Sequence, residues 1–399
     1  MNSKISSQLL MKQRPPRTGR PCLAAGRLSL FEGMSLILGT TIGAGVLGIP
    51  FAISRVGIIP GMIYLVSIGI LMLFLNLLVG ELSVQTGKSL QMVGFAKHYL
   101  GAWAGVLMTM LMYLSLLGAL LVYIIGEGEV LSALLTGREV WWSLTFFVIA
   151  SIPVIIGLRG VKVIELLIVI SIIAALIVIA GFSVPYMEYT NFLSPDTIDP
   201  FLPYGVLLFA FSGATAIPEA YVLLKERHRT FRLAIITSGV VVTIIYGVFA
   251  TIVVGVTGSS TTEIATVGLG ETLGPTLFTL GNIFAALAMA TGFIMTAVAL
   301  RDSLRWDFRI PYAYATIFVL TLPLILFLVG IRGFIAMIDI IGGVFMSIQV
   351  LLFLLIYWKA KQSHDWRPGR FNLHHVSLIV AILVIFFTVG VIQSVIRLF

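Results

Sequence analysis

Apolar residues arrive in long runs along this 399-residue chain, and those runs set the first expectation. A helix crossing the hydrocarbon core of a bilayer needs about 20 mostly apolar residues. Eleven segments fit: 30–54, 58–84, 101–126, 141–157, 161–183, 201–222, 233–257, 275–300, 310–330, 332–358 and 374–397. A membrane β-barrel would alternate polar and apolar positions. Stretches such as Val163–Ala180 are apolar on every face, so helices are expected. The pattern predicts an all-α polytopic membrane protein in one membrane domain, with no soluble domain.

The polar residues between the runs set the orientation. Lys and Arg accumulate on the cytoplasmic side of membrane proteins. With a cytoplasmic N-terminus, 21 of the 25 Lys and Arg fall inside, and only Arg55, Arg138, Arg332 and Arg397 fall outside. Eleven spans then put the C-terminus outside. Outer loops carry the acids Glu127, Glu129, Glu139, Glu188, Asp196, Asp199, Glu263 and Glu271.

Composition agrees: 59% of residues are hydrophobic, 11% are charged and mean hydropathy is +1.09. That excludes a disordered chain, and Cys22 as the only cysteine excludes a disulfide scaffold. The net charge of +8 reads as a positive-inside surface against anionic lipid, not as nucleic-acid binding. Ala24, Ala25 and Gly26 precede the first apolar run, which argues against a cleaved signal peptide. All five histidines fall in or beside inner loops, so no histidine relay crosses the membrane.

The spans form two sets of five plus one. Spans 1, 4 and 5 begin near 30, 141 and 161; spans 6, 9 and 10 begin near 201, 310 and 332. Five is odd, so the second set enters with opposite sense, as in the inverted repeats of secondary transporters. The expected divisions are a basic tail at 1–29, a first repeat at 30–183, a second at 201–358 and an extra helix at 374–399. Span 1 contains Gly43-Ala-Gly-Val-Leu-Gly-Ile-Pro50 and span 6 contains Phe211-Ser-Gly-Ala-Thr-Ala-Ile-Pro218, so Gly45 matches Gly213. Glycine permits unwinding and proline removes an N–H. Backbone freed at membrane depth is tolerable where it lines a cavity. Two broken helices would offer N–H groups to a carboxylate and carbonyls to a cation. Gly43-x-Gly45-x-x-Gly48 also matches a dinucleotide fingerprint, but it lacks the required strand and acid.

The motif Gly39-Thr-Thr-Ile-Gly-Ala-Gly-Val-Leu-Gly-Ile-Pro50 resembles the first-helix signature of the amino acid/auxin permease family, nearest the bacterial tyrosine and tryptophan permeases. Phe209-Ala-Phe-Ser-Gly-Ala-Thr-Ala-Ile-Pro-Glu219 is similar to that family's sixth helix. The family belongs to the amino acid–polyamine–organocation superfamily, with the leucine-transporter fold. The resemblance implies secondary transport of amino acids coupled to H+ or Na+, with no other cofactor. It places the substrate carboxylate near Thr41, Ala44 and Gly45. The amino group would face carbonyls around Thr40–Ile42 and Phe209–Ser212. Gly43, Phe211, Gly213 and Thr215 join that site, with Phe209 as an aromatic lid and Tyr113 as a wall. A Na+ site would use the carbonyls of Gly39 and Ile42 and the hydroxyl of Thr291, although Gly292 stands where a serine is expected. Lys162 could replace that ion, but it sits at the inner edge, where anchoring is its expected job. An outer Arg55–Asp339 latch and an inner Arg27–Asp302 latch are also implied.

Ionisable residues within spans are expensive and often functional. Glu219 follows Pro218 and is either a protonation site or a structural partner of Lys225 or Arg227. For Glu32, Glu81 and Glu165, pairing with inner cations is the expectation. Apolar, aromatic pocket walls suggest a neutral or aromatic amino acid carried by a monomer. A channel would need a continuous pore. An intramembrane enzyme would need a catalytic cluster that the sequence lacks. A transporter-like amino acid sensor usually carries a longer tail.

Overall fold

The computed structural model describes residues 22–87, 90–156, 174, 177–179, 181–192, 199–225, 227–363, 366, 371 and 376–397. Side chains are described from Leu30 onward, Trp306 and Asp307 excepted. The expected span at 161–183 lies largely outside these residues. Lys162, Glu165, the tail before residue 22 and the side chain of Arg27 lie outside them too.

All regular elements among the described residues are helical. The helices are α1 (Cys22–Thr41), α2 (Gly45–Val56), α3 (Ile58–Thr86), α4 (Met92–Leu100), α5 (Ala102–Leu135), α6 (Glu139–Ile156), α7 (Leu202–Ala210) and α8 (Ala216–Leu223). They continue as α9 (His228–Thr257), α10 (Ala265–Leu273), α11 (Pro275–Asp307), α12 (Tyr312–Val329), α13 (Phe334–Ile340), α14 (Ser347–Lys361) and α15 (Val376–Ile396). A π-helical turn at Ile341–Met346 joins α13 to α14. Among the described residues, eight helical runs are long and apolar enough to cross a membrane, or nine if α1 and α2 count as one bent span. The expected span at 201–222 is split into α7 and α8, each shorter than a crossing requires.

Sequence periodicity explains how the helices sort. On α3, Ile59, Ile63, Val66 and Ile70 are exposed, while Leu65, Ile68, Met72 and Leu75 are buried. Spacings of three and four put each set on one face of a helix. With lipid as the outer solvent, an exposed apolar stripe is the stable arrangement. On α15, Leu378, Ile382, Ile385 and Val389 are exposed, and Leu383, Phe387 and Gly390 pack inward.

Two departures from the sequence expectation bear on the site. α5 runs to Leu135, so Glu127 and Glu129 are helical residues, not outer-loop acids. The periodicity breaks at Gly126-Glu-Gly-Glu129, but a helix packed on its neighbours tolerates such residues. The second difference is the π turn. Its Gly342 lies against the Gly205 carbonyl of α7, while Ser347 donates to the Gly342 carbonyl at 3.2 Å. Without a side chain at 342, the two backbones approach closely.

Candidate functional site

Both interrupted helices open onto one cavity of about 180 Å³. α1 ends at Thr41 and α2 starts at Gly45, bent by 58°. α7 ends at Ala210 and α8 starts at Ala216. Pro50 and Pro218 lie inside the second half-helices, so the prolines follow the breaks and do not form them. Nor do the glycines act through unusual dihedrals, because Gly43, Gly45 and Gly213 all lack a positive φ. Their role is close approach. A Cβ on Gly45 would stand 2.5 Å from Ala210 Cα, and one on Gly213 would collide with the Thr41 hydroxyl.

The breaks leave backbone groups unspent. Among the described residues, the N–H groups of Gly43, Ala44 and Gly45 make no backbone–backbone hydrogen bond, nor do those of Ala214 and Thr215. All five residues line the cavity. The hydroxyls of Thr40, Thr41 and Ser212 donate to carbonyls three or four residues back, at 2.6–2.8 Å. What faces the cavity is therefore a set of N–H donors together with hydroxyl lone pairs. Tyr246 of α9 ties the breaks together: its hydroxyl lies 3.0 Å from both the Thr41 and Ala210 carbonyls.

Of the expected substrate residues, Thr40, Thr41, Gly43, Ala44, Gly45, Phe209, Ser212 and Thr215 line the cavity. Phe211 and Gly213 support it from behind. Phe211 packs edge-on to Tyr246 at 5.1 Å, and Gly213 lies against Thr41. Tyr113 is a correction. It bonds Ser303 at 2.9 Å and packs against Phe308, away from the cavity lining. Tyr123, nearly three turns further along α5, lines the cavity instead. The remaining wall includes Met72, Met92, Met108, Met112 and Met346, with a polar spot where Gln349 donates to Ser115 at 2.6 Å.

Residues 27–394 match the sequence profile of the tryptophan/tyrosine permease family. The chain belongs to that family. Its members are transporters, not enzymes, and the chain is an integral multi-pass membrane protein. The chain is 26% identical to "Tyrosine-specific transport system 1" of Haemophilus influenzae over 374 residues, covering 87% of this chain and 92% of that protein. It is 23% identical to "Glutamine transporter 2" of Aliivibrio fischeri, covering 86% and 92%. Among solved structures it resembles MhsT in complex with L-phenylalanine, with TM-score 0.67, 14% identity and coverage of 92% and 98%. It also resembles the Eremococcus coleocola manganese transporter, with TM-score 0.70, 12% identity and coverage of 97% and 90%. Both share the leucine-transporter fold expected from the motifs.

The permease departs from the expected ion site in a specific way. The Thr291 hydroxyl donates to Leu287 and Ala288 at 2.8 and 3.0 Å. A Cβ on Gly292 would lie 2.5 Å from Tyr123 Cζ, so the Tyr123 ring fills the place of the expected serine. Gly39 lies at the end of α1 and Ile42 is buried in the break.

The charged residues also regroup. Glu219 is exposed and accepts a 3.2 Å bond from Gln91, so it is not the buried acid expected beside the cavity. Asp339 is held by Arg397 at 3.1 Å, and the same guanidinium reaches Asp199. The partner at Asp339 is thus the arginine after α15, while the Arg55 guanidinium lies over Phe51 at 4.7 Å. Asp302 pairs with Arg301 at 2.9 Å and Arg305 at 3.7 Å. Glu81 is buried and accepts a bond from Tyr357, with the cations Lys361 and Arg232 near it, as the expected pairing required.

Tyr123 and Tyr246 are site residues that the motifs do not single out, although the sequence carries a signal for them. Each sits in an aliphatic run, Leu120–Ile125 and Ile244–Phe249. A phenol hydroxyl at membrane depth needs a partner, and broken helices supply carbonyls.

Proposed function

We propose that this chain is a secondary active importer of neutral amino acids, aromatic ones included, driven by an H+ or Na+ gradient across the cytoplasmic membrane. The observation that carries this reading is the meeting of two helix breaks in one cavity, with five unspent N–H groups lining it. Backbone N–H groups at the start of a half-helix suit an α-carboxylate. An apolar, methionine-rich wall adapts to side chains of varied shape. The named relatives support the class, since they are described as tyrosine and glutamine transporters and the resembling MhsT structure holds L-phenylalanine.

In this reading the chain has eleven spans in a 5+5 inverted repeat plus one, with the N-terminus cytoplasmic and the C-terminus outside. Alternating access exposes the cavity to each side in turn. A single chain supplies both breaks, so a monomer suffices. The test is counterflow in proteoliposomes with a panel of the twenty amino acids, with and without Na+ and at two pH values. Saturable exchange of neutral amino acids is expected. Exchange with none of them, or non-saturable flux, overturns the reading.

A further inference from the structure

We infer that Glu127 is the proton-binding carboxyl of this carrier, taking H+ from the outer water and releasing it inside as the amino acid is imported. The inference rests on the transport reading above and deepens it by assigning the coupling ion.

Glu127 lies within α5, is 3% exposed, and its Oε2 has no hydrogen-bond partner. None of the four ion pairs among the described residues includes it. The glycines on either side let neighbouring helices pack close beside it. A Cβ on Gly126 would lie 2.7 Å from both Met289 Sδ and Phe334 Cε2, and one on Gly128 would lie 2.9 Å from the Glu139 carbonyl and collide with Ser143. α11 and α13 on one side and α6 on the other therefore pack close against the faces of α5 that flank Glu127. A buried carboxylate without a counter-ion is costly, whereas a carboxylic acid is not. Closing these helices over Glu127 thus favours the state in which a proton has been added to its oxygen. Opening them readmits water and permits the proton to leave as H+. That dependence is what ion coupling requires of a carrier.

The position also fits. Tyr123 is one turn inward on the same face of α5 and lines the cavity. Outward lie Glu139, exposed, and Glu129 and Glu263, half-buried and repelling one another. They form a graded acidic approach from the outer surface. The other charges on packed elements are engaged or distant. Asp339 of α13 holds Arg397, and Glu263 accepts the Ile335 N–H at 3.1 Å. Arg301, Asp302 and Arg305 of α11 form their own cluster at its far end. The ionisable side chains of α4, α12 and α14 likewise lie at their inner ends. The other buried acid among the described residues, Glu81, is bonded by Tyr357, with Lys361 and Arg232 nearby. Glu127 alone among these acids combines burial with no counter-charge.

The experiment compares wild type with Glu127→Gln in proteoliposomes, using L-tyrosine and the best counterflow substrate from the panel. Counterflow needs no net ion movement. The expected result is counterflow within about twofold of wild type but loss of uptake driven by an inward pH gradient. Gradient-driven accumulation by Glu127→Gln at the wild-type level overturns the inference. So does a wild-type protein that accumulates substrate with Na+ and ignores the pH gradient, while its counterflow still upholds the transport reading. Absence of counterflow in wild type sinks the transport reading itself. Should Glu127→Gln fail to fold, Glu127→Asp serves. Its shorter acid sits differently in the buried site, so the midpoint of the uptake–pH profile shifts by about half a unit or more. An unshifted midpoint overturns the inference.

Discussion

Adding one methyl group at Gly45 tests the central geometric claim. In Gly45→Ala the new Cβ would lie 2.5 Å from Ala210 Cα, 2.8 Å from its Cβ and 3.1 Å from its nitrogen. Carbon atoms in comfortable contact are about 3.5–4.0 Å apart, so the two helices must separate by roughly 1 Å. Two of the three obstructing atoms are backbone, so no rotamer change relieves the clash. Overpacking of this kind costs about 1–3 kcal/mol, and a rigid neighbour puts it near the upper end. At 2–3 kcal/mol, the population with both breaks in register falls roughly 30- to 150-fold. Initial-rate uptake in proteoliposomes should fall by a comparable factor. The control is Gly281→Ala on α11, where the added Cβ would meet Thr266 Cβ at 3.4 Å, an ordinary contact. That variant should transport like wild type. Wild-type rates in Gly45→Ala refute the reasoning, and equal losses in both variants show that the effect is not specific to the crossing of the breaks.

Removing the Tyr246 hydroxyl with Tyr246→Phe keeps the Phe211 contact but leaves the Thr41 and Ala210 carbonyls short of a donor, at about 1–3 kcal/mol. Transport should fall about tenfold or more, and an unchanged rate refutes the bridge. Tyr357→Phe strips the buried Glu81 of its donor, and a charge-assisted bond is worth about 1.5–3 kcal/mol. The thermal transition of the purified protein should fall by several degrees; no change would count against the pairing. Arg397 is partly exposed, so a cycle of Arg397→Ala and Asp339→Asn should give a coupling of about 1 kcal/mol or less. A coupling near 3 kcal/mol would mark Arg397 as a buried pair, contrary to this structure.

The long apolar helices among the described residues and the places where α1–α2 and α7–α8 are interrupted were legible because hydrophobic length and glycine position are local signals. The reason for the glycines was not. In sequence they look like dihedral licences, yet Gly43, Gly45 and Gly213 have ordinary φ and serve by lacking Cβ. Close approach depends on a partner some 165 residues away, Ala210 for Gly45, which a linear pattern does not show. The same holds for charge. The family resemblance implied Arg55 as the partner of Asp339, but the cation arrives from the end of α15.

Burial also ranks the acids differently from position. Glu219 stood out because it follows a proline near the break, yet it is exposed. Glu127 is hidden in the sequence because a Gly-Glu-Gly-Glu stretch reads as a loop. The same two glycines that weaken the helical pattern let α6, α11 and α13 pack close on either side of Glu127. A pair of glycines flanking an acid inside a long apolar helix is therefore better read as a packing device than as a helix end. In this chain that reading moves the coupling question from α8 to the C-terminal half of α5.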